Sequence, residues 1–249
     1  MNKVRVLGVL IDSVSMDEAV CQITEFVERK RPHLVVTANP EMVMGARSDQ
    51  LLEEILERAQ LVVADGIGVV WASRVLGQGV PERVPGIELM ESVLARAAEL
   101  GWRVFLLGGE KGVAEKASAA MKKAFPGLNV VGTHHGFFKP GHEERALLQQ
   151  IKESNPQILL IALGVPRQEK WAAAHLAELG VPVAMGVGGS FNVWAGVDKR
   201  APRWVREMNL EWLYRLIRQP WRIRRVMVLP KFVITVLAER FSQKGTASQ

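Results

Sequence analysis

Asp65 is the residue whose position in the sequence points most directly to chemistry. It follows the apolar run 61–64 and precedes Gly66, so in a parallel sheet it would lie where the strands end and ligands bind. A carboxylate there suits a general base that removes a proton from a hydroxyl group. The alternative is a helix N-cap, because Asp is a favoured cap and a helical pattern follows.

Uncharged polar side chains end two other apolar runs. Thr37 and Asn39 precede Pro40, which is placed to start a helix. Their hydroxyl and amide groups suit sugar hydroxyls, although capping explains them equally well. Gln168 and Glu169 open a later helix. Gln168 is a candidate for binding the donor substrate of a group transfer. Glu169 fits ordinary compensation of the helix dipole.

Glycines follow most of the apolar runs and let backbone amides approach a ligand closely. Gly108 and Gly109 lie between a predicted strand and a predicted helix, where amides can hold a diphosphate. The segment lacks both the dinucleotide-binding spacing and a Walker Lys-Ser/Thr pair, so a tight turn explains it equally well. Gly164 and Gly188 follow two later runs.

The sequence predicts neither a metal site nor a cofactor. His134 and His135 are adjacent, and no His, Cys and carboxylate spacing resembles a zinc site. An Asp-x-Asp motif is also absent. If a sugar nucleotide is the donor, arginines must therefore neutralise its leaving diphosphate.

The C-terminal part of the chain supplies those arginines. Basic and aromatic residues are interleaved there: Arg215, Arg218, Arg222, Arg224 and Arg225, with Trp204, Trp212, Tyr214, Trp221 and Phe232. Residues 199–244 hold 12 Lys/Arg and 3 Asp/Glu, a net charge of +9 in a chain of +6, so the remainder carries −3. The aromatic content favours an anionic membrane surface over a solvated basic face. No nucleic-acid recognition motif accompanies the charge, so nucleic acid is not the expected partner.

Apolar, β-rich runs alternate with helical patterns along most of the chain. The predicted strands are 33–37, 61–64, 103–107, 129–132, 158–163 and 183–187, after a strand-like run at 4–10. The predicted helices are 16–29, 49–60, 67–76, 87–100, 113–125, 143–154 and 168–179. This alternation predicts an α/β fold, a Rossmann-like doubly wound and mostly parallel sheet. Residues 1–195 would form the catalytic domain, and residues 196–249 a helical, basic, membrane-associating appendage with a tail.

Three further features bear on location. The single cysteine, Cys21, lies among apolar residues of a predicted amphipathic helix, so we expect a buried thiol and no internal disulfide. The apolar run 226–237 contains Pro230 and is shorter than the roughly 20 residues of a membrane span. With no signal-peptide pattern at the start, we expect a cytoplasmic protein, peripheral on the inner face of the membrane.

Short motifs in a fixed order make the chain similar to the WecG/TagA/CpsF glycosyltransferases, family 26, along nearly its whole length. The motifs are Thr37-Ala-Asn39-Pro-Glu41, Ala64-Asp65-Gly66-Ile-Gly68, Glu82-Arg83-Val-Pro-Gly86, Leu163-Gly164-Val-Pro-Arg-Gln168-Glu169, Gly186-Val-Gly188-Gly189, Ala195-Gly196, Lys199-Arg200-Ala-Pro202 and Leu210-Glu211-Trp212-Leu-Tyr-Arg215-Leu. One departure is Phe191-Asn192, where the family often has Phe-Asp, so a charged role at that position is in doubt.

The resemblance implies an inverting, metal-independent transfer of N-acetylmannosamine from UDP-N-acetylmannosamine to N-acetylglucosaminyl-diphospho-undecaprenol, in synthesis of the wall teichoic acid linkage unit. It implies Asp65 as base, a sugar and donor pocket lined by Thr37, Asn39 and Gln168, and a diphosphate approached by Arg215, Arg222 and Arg225. The uronate of the same sugar, used in common antigen or capsule synthesis, is the alternative donor. We also expect a homo-oligomer, because self-association would mask a surface-active tail.

Two other function classes stay open. A dinucleotide-dependent oxidoreductase would use the same sheet topology, but the glycine fingerprint is missing. A non-catalytic membrane adaptor would use the basic tail, but it would not need polar residues at so many strand ends.

Overall fold

A computed structural model describes residues 2–246, apart from the side chains of residues 222, 224 and 243–246. Its strands are β1 Lys3–Val6, β2 Val9–Asp12, β3 His33–Ala38, β4 Leu61–Ala64, β5 Arg103–Gly108, β6 Asn129–His134, β7 Ile158–Ala162 and β8 Val183–Gly186. The last six form one parallel sheet in the order β4-β3-β8-β7-β5-β6. The predicted Rossmann-like α/β fold is confirmed.

Helices connect these strands and continue beyond the last one. They are α1 Met16–Arg29, α2 Pro40–Ala46, α3 Gln50–Arg58, α4 Ile67–Val75, α5 Gly86–Leu100, α6 Val113–Ala124, α7 His142–Ser154, α8 Arg167–Leu179, α9 Ser190–Trp194, α10 Arg203–Glu207, α11 Glu211–Arg218, a 3₁₀ turn Pro220–Arg222, α12 Ile223–Val226 and α13 Val228–Thr246. Among the described residues, no helix is both long enough and apolar enough to cross a membrane.

The sheet is covered on both faces, which explains its continuous apolar strands. Successive side chains of a strand point to opposite faces, so Leu34 and Val36 of β3 join one core cluster. Val35, between them, joins the other cluster. The parallel pairing of Ala38 with Ala64 places the carboxyl ends of β3 and β4 side by side.

We expected a single strand at 4–10 from its composition, and this prediction is wrong. The run divides into β1 and β2, which pair antiparallel through Val6 and Val9 in a separate two-stranded sheet. The chain reverses at Leu7 and Gly8, both of which have positive φ, as a two-residue hairpin turn requires.

Cys21 is exposed, so the prediction of a buried thiol is wrong. Helix α1 buries Ala19, Ile23, Phe26 and Val27. The 3.6-residue period of the helix places residue 21 away from that buried face.

The C-terminal helix α13 packs directly on two helices near the N-terminus of the chain. Helix α13 contacts α2 and α4, and its Phe232 and Val236 are fully buried in the same core cluster as Met42 of α2. A Cβ at Gly68 would lie 2.7 Å from Pro40 Cγ and 3.7 Å from the Phe232 ring. The glycine therefore lets α2, α4 and α13 converge beside the carboxyl end of β4.

An ionic cluster fixes the beginning of this helical region to α5. Glu88 Oε1 accepts hydrogen bonds from Arg200 and, at 3.2 Å, from Arg206 Nη1. Arg200 Nη1 also pairs with Glu91 Oε2 at 3.5 Å. All four side chains are partly buried, where charged hydrogen bonds are stronger than at the surface.

Candidate active site

A cavity of about 400 Å³ lies between the carboxyl ends of β3 and β4 and the C-terminal helices. Four of the predicted site residues line it together: Asn39, Asp65, Arg215 and Arg225. The first two belong to the strand ends and the last two to α11 and α12. The cavity thus combines a carboxylate from the sheet domain with cations from a segment 150 residues later in the chain.

Asp65 is held by the start of α5. Its backbone N–H donates to Ala38 O at 2.9 Å, and its Oδ1 accepts from the backbone N–H of Gly86 at 3.0 Å. The N-cap of the following helix, α4, is Gly66 and not Asp65. The N-cap alternative is therefore wrong for the adjacent helix, and the carboxylate faces the cavity.

The protonation of Asp65 is set by competing effects. Burial, the largest, raises its pKa to about 6, against the hydrogen bond from Gly86 and the nearby charges of Arg215 and Arg83. Glu211 adds to the rise. A carboxylate with a pKa near 6 is ionised at neutral pH and is a stronger base than an exposed Asp, which suits proton abstraction.

Thr37 is not among the residues that line the cavity. It is buried in β3, and a Cβ at Gly86 would approach its Oγ1 to 2.9 Å. The absence of a side chain at Gly86 therefore leaves room for Thr37 beside the residue whose backbone N–H binds Asp65.

Asn39 combines both predicted roles. Its Oδ1 accepts from the backbone N–H of Met42 at 2.9 Å and caps α2, and the residue also lines the cavity. Its side-chain nitrogen is the group left to donate a hydrogen bond to a ligand.

Three arginines line the cavity. Arg215 Nη2 pairs with Glu211 Oε1 at 2.6 Å, one turn earlier on α11. Arg225 Nε lies 3.5 Å from Glu41 Oε1. Arg83 precedes Val84, whose backbone N–H donates to Ala64 O at 2.8 Å and so brings the loop beside β4. Arg222, which we also predicted to approach the diphosphate, has a side chain outside the part of the chain that the structure describes.

A second cavity, of about 210 Å³, adjoins the first. Arg215 lines both cavities, and the second is also lined by Gly189, Lys199, Tyr214 and Arg218. A ligand that extends from one cavity to the other would therefore pass the guanidinium of Arg215.

Gln168 is not in the main cavity. It is buried, its Nε2 donates to Glu169 Oε1 at 2.8 Å, and its Oε1 accepts from the backbone N–H of Gly188 at 3.1 Å. These bonds fix the loop after β8, so in this structure Gln168 shapes the site and does not project into it.

Two of the four predicted glycine amides, those of Gly109 and Gly188, donate hydrogen bonds within the protein. Gly109 N–H donates to Ala162 O at 3.2 Å, and a Cβ at Gly108 would clash with the backbone of the same residue. The amide of Gly188 is bound to Gln168. Gly164 has a φ of +79° and its carbonyl accepts from Gln168 N–H at 2.9 Å. The geometry favours the tight-turn alternative for Gly108 and Gly109.

Glu169, which we predicted to compensate the dipole of the helix it opens, is the acidic residue in the first turn of α8. It is buried in the first turn of α8 because that turn packs against Gly186, and its Oε2 has no hydrogen-bond partner among the described residues. Burial raises the pKa of Glu169 to about 7. This carboxyl is a second titrating group near neutral pH, outside the cavity.

The sequence pattern did not single out three charged residues of the cavity: Glu41, Arg83 and Glu211. All three lie inside the motifs at 37–41, 82–86 and 210–216. The motifs therefore indicated the family, but they did not indicate the position of these three side chains in the cavity. Among the residues that the structure describes, no cluster of His, Cys, Asp or Glu is arranged to hold a metal.

Comparison with known proteins settles the family. A model described as "Glycosyl transferase WecG/TagA/CpsF family" matches residues 4–246. The chain belongs to this glycosyltransferase family. The resemblance found in the motifs is therefore confirmed, and the chain is an enzyme of the glycosyltransferase class.

Curated relatives within the family cover nearly the whole chain. A protein of Staphylococcus aureus strain MW2, named N-acetylglucosaminyldiphosphoundecaprenol N-acetyl-beta-D-mannosaminyltransferase, is 38% identical over 236 residues, 94% of this chain and 92% of the relative. A protein of the same name from strain MRSA252 is 37% identical with the same coverage.

Proposed function

We propose that this glycosyltransferase moves N-acetylmannosamine from UDP-N-acetylmannosamine to N-acetylglucosaminyl-diphospho-undecaprenol, in synthesis of the wall teichoic acid linkage unit. The observation that carries the proposal is the cavity that joins Asp65 to Arg215 and Arg225. The name of the Staphylococcus aureus relatives supports this acceptor and this sugar. The cavity thus offers the base and the cations that such a transfer needs.

In this mechanism Asp65 takes the proton of the acceptor hydroxyl as that oxygen attacks the anomeric carbon. The bond from the anomeric carbon to the UDP oxygen breaks on the opposite face, so the configuration inverts. Arg215 and Arg225 neutralise the charge that develops on the leaving diphosphate. Because the amides of Gly109 and Gly188 are engaged inside the protein, the arginines carry this role.

Residues 196–249 form the proposed membrane-associating appendage of the catalytic domain at 1–195. Its helices expose large apolar side chains among the arginines, including Trp204, Trp212, Ile217, Trp221, Ile234 and Phe241. Aromatic rings and cations together suit the interface of an anionic membrane. Peripheral binding at the inner face would bring a lipid-linked acceptor to the cavity. Self-association in solution stays a prediction.

The direct test is product formation from UDP-N-acetylmannosamine and a short-chain lipid-diphospho-N-acetylglucosamine, with a chelator present. We expect a disaccharide lipid product from the full chain, and formation about 10²–10⁴-fold slower from Asp65→Asn. The matching reaction with the uronate donor measures donor preference. Absence of product with either donor, in the presence of anionic vesicles, contradicts the proposed function.

A further inference from the structure

Glu211 is an acidic residue in a cavity that should attract a diphosphate. It lines the cavity with Asp65 and is only 15% exposed. Its Oε1 accepts from Arg215 Nη2 at 2.6 Å, while Arg215 itself is 44% exposed. A partly buried carboxylate is thus paired with the guanidinium group that, in the proposed mechanism, binds the leaving diphosphate.

Helix stabilisation does not explain this placement. An i,i+4 ion pair on a helix contributes little to stability, and such a pair can form on the surface without occupying a ligand site. Helix α10 contains one with the same spacing, between Arg203 Nε and Glu207 Oε1 at 2.7 Å, and both of its side chains are exposed. The pair on α11 differs in facing the cavity.

The two members of the cavity pair act on Asp65 in opposite directions. The positive charge of Arg215 lowers the pKa of Asp65, and the negative charge of Glu211 raises it. Among the side chains that the structure describes, the other charged groups that line the cavity are Glu41, Arg83 and Arg225. Any ligand that draws Arg215 away from Glu211 therefore also changes the charge balance around the base.

We propose that Glu211 is a positioning residue that holds Arg215 before the donor binds and competes with the UDP diphosphate for it. The inference rests on the proposed function. When the diphosphate arrives, its charge exceeds that of one carboxylate, and Arg215 transfers its hydrogen bonds to the phosphate oxygens. When UDP has formed, Glu211 takes the arginine back and favours release of the product.

The exchange also couples the donor to the base. A diphosphate bound to Arg215 screens the positive charge that stabilises ionised Asp65. It also leaves the negative charge of Glu211 without its cation. Both changes increase the proton affinity of Asp65. The base is therefore stronger once the donor is bound than before the donor binds.

The test is the affinity for UDP of the full chain, measured by calorimetry, with Glu211→Gln and its matched control Glu207→Gln. Each variant removes one carboxylate from an i,i+4 pair with arginine, so the change in net charge is identical. We expect Glu211→Gln to bind UDP about three- to tenfold more tightly, and Glu207→Gln to bind as the wild type does. Glu211→Ala, which lacks the amide, should show the same gain.

Three outcomes overturn the inference. Equal or weaker UDP binding by both Glu211 variants, with a wild type that binds UDP, removes Glu211 as a competitor and leaves the proposed function intact. An equal gain in Glu207→Gln shows a general charge effect only. A wild type that does not bind UDP contradicts the proposed function, and the inference with it.

A kinetic readout separates competition from a structural role. The inhibition constant for UDP should fall in Glu211→Gln by the factor seen in calorimetry, and the acidic limb of the rate profile should move to lower pH because a charge that raises the pKa of Asp65 has gone. A fall in turnover with no change in either quantity indicates a structural role alone.

Discussion

At the scale of the residue, the environment of Asp65 decides what the site can do. An exposed Asp is almost fully ionised at neutral pH but is a weak base. Burial raises the pKa of Asp65 to about 6, and the Gly86 amide with two nearby arginines limits the rise. The carboxyl therefore stays ionised at neutral pH while its affinity for a proton is increased.

This protonation balance predicts the pH dependence of the transfer. The rate should fall about tenfold per pH unit below about 6, because only ionised Asp65 accepts the proton. The measurement is kcat/KM for the donor between pH 5 and 8, because this ratio reports the pKa values of the enzyme before the donor binds. The Glu169→Gln variant should keep this limb, which shows that the second carboxyl with a raised pKa does not cause it. A flat profile across the range rules out Asp65 as base.

Glu169 predicts a pH dependence of stability. Its pKa is raised to about 7 by burial, so the folded state binds the proton more strongly than the unfolded chain does. Stability therefore falls as pH rises from the unfolded pKa, near 4.5, through about 7. Glu169→Gln should increase the free energy of unfolding by about 1–3 kcal/mol at pH 8 and by little at pH 4.5. Thermal unfolding at both pH values measures this, and an equal effect at the two contradicts it.

At the scale of the element, different interactions position the residues at the strand ends and the helices of the appendage. The sheet positions Asp65 and Asn39, because parallel strands end at one edge. Arg200 and Arg206 fix the start of the appendage on Glu88 of α5, the helix whose first residue binds Asp65. A change in this ionic cluster should therefore reach the site without touching a ligand.

Glu88→Gln tests that connection. Removing the charge leaves two partly buried guanidinium groups without their shared carboxylate, which should destabilise the protein by about 1–3 kcal/mol and lower the transfer rate. The control is Glu99→Gln on the same helix, because its ion pair with Arg96 is exposed. Thermal unfolding and kcat/KM are the measurements. Equal effects of the two variants would show that the cluster does not position the appendage.

The sequence predicts elements better than it predicts the site. The bounds of α1 and β4 were predicted correctly because helix capping and apolar patterns are local signals. The hairpin at 4–10 was missed because its turn depends on positive φ at Leu7, which composition does not reveal. Asp65 and Asn39 were expected at the strand ends, whereas the cavity role of Glu211 depends on packing between distant segments.

At the scale of the whole molecule, the charge is divided between a slightly acidic body and a strongly basic C-terminal part. That part exposes Trp221 and Ile217 beside its arginines, while Phe232 anchors it in the core. Because the core includes Phe232, deleting the appendage would also remove core packing. Point variants are therefore the appropriate probes of its function.

Vesicle binding tests the proposed membrane surface. The full chain should bind vesicles that contain anionic lipid, and raised salt should weaken the binding. Trp221→Ala should reduce the affinity about three- to tenfold through lost apolar contact. Phe137→Ala, which removes an equally exposed aromatic ring outside the appendage, should leave it unchanged. The same loss in both variants contradicts a specific membrane face.

The central claim is that Asp65 of the sheet domain and Arg215 of the appendage act on one substrate in one cavity. A double-mutant cycle on the rate of sugar transfer, with Asp65→Asn, Arg215→Gln and the double variant, tests it most directly. We expect a loss of about 10²–10⁴-fold from Asp65→Asn and about 10²–10³-fold from Arg215→Gln. The double variant should be little slower than the slower single variant, because the two residues act as a unit. An unaffected rate in Arg215→Gln, or losses that multiply fully, would contradict a shared site.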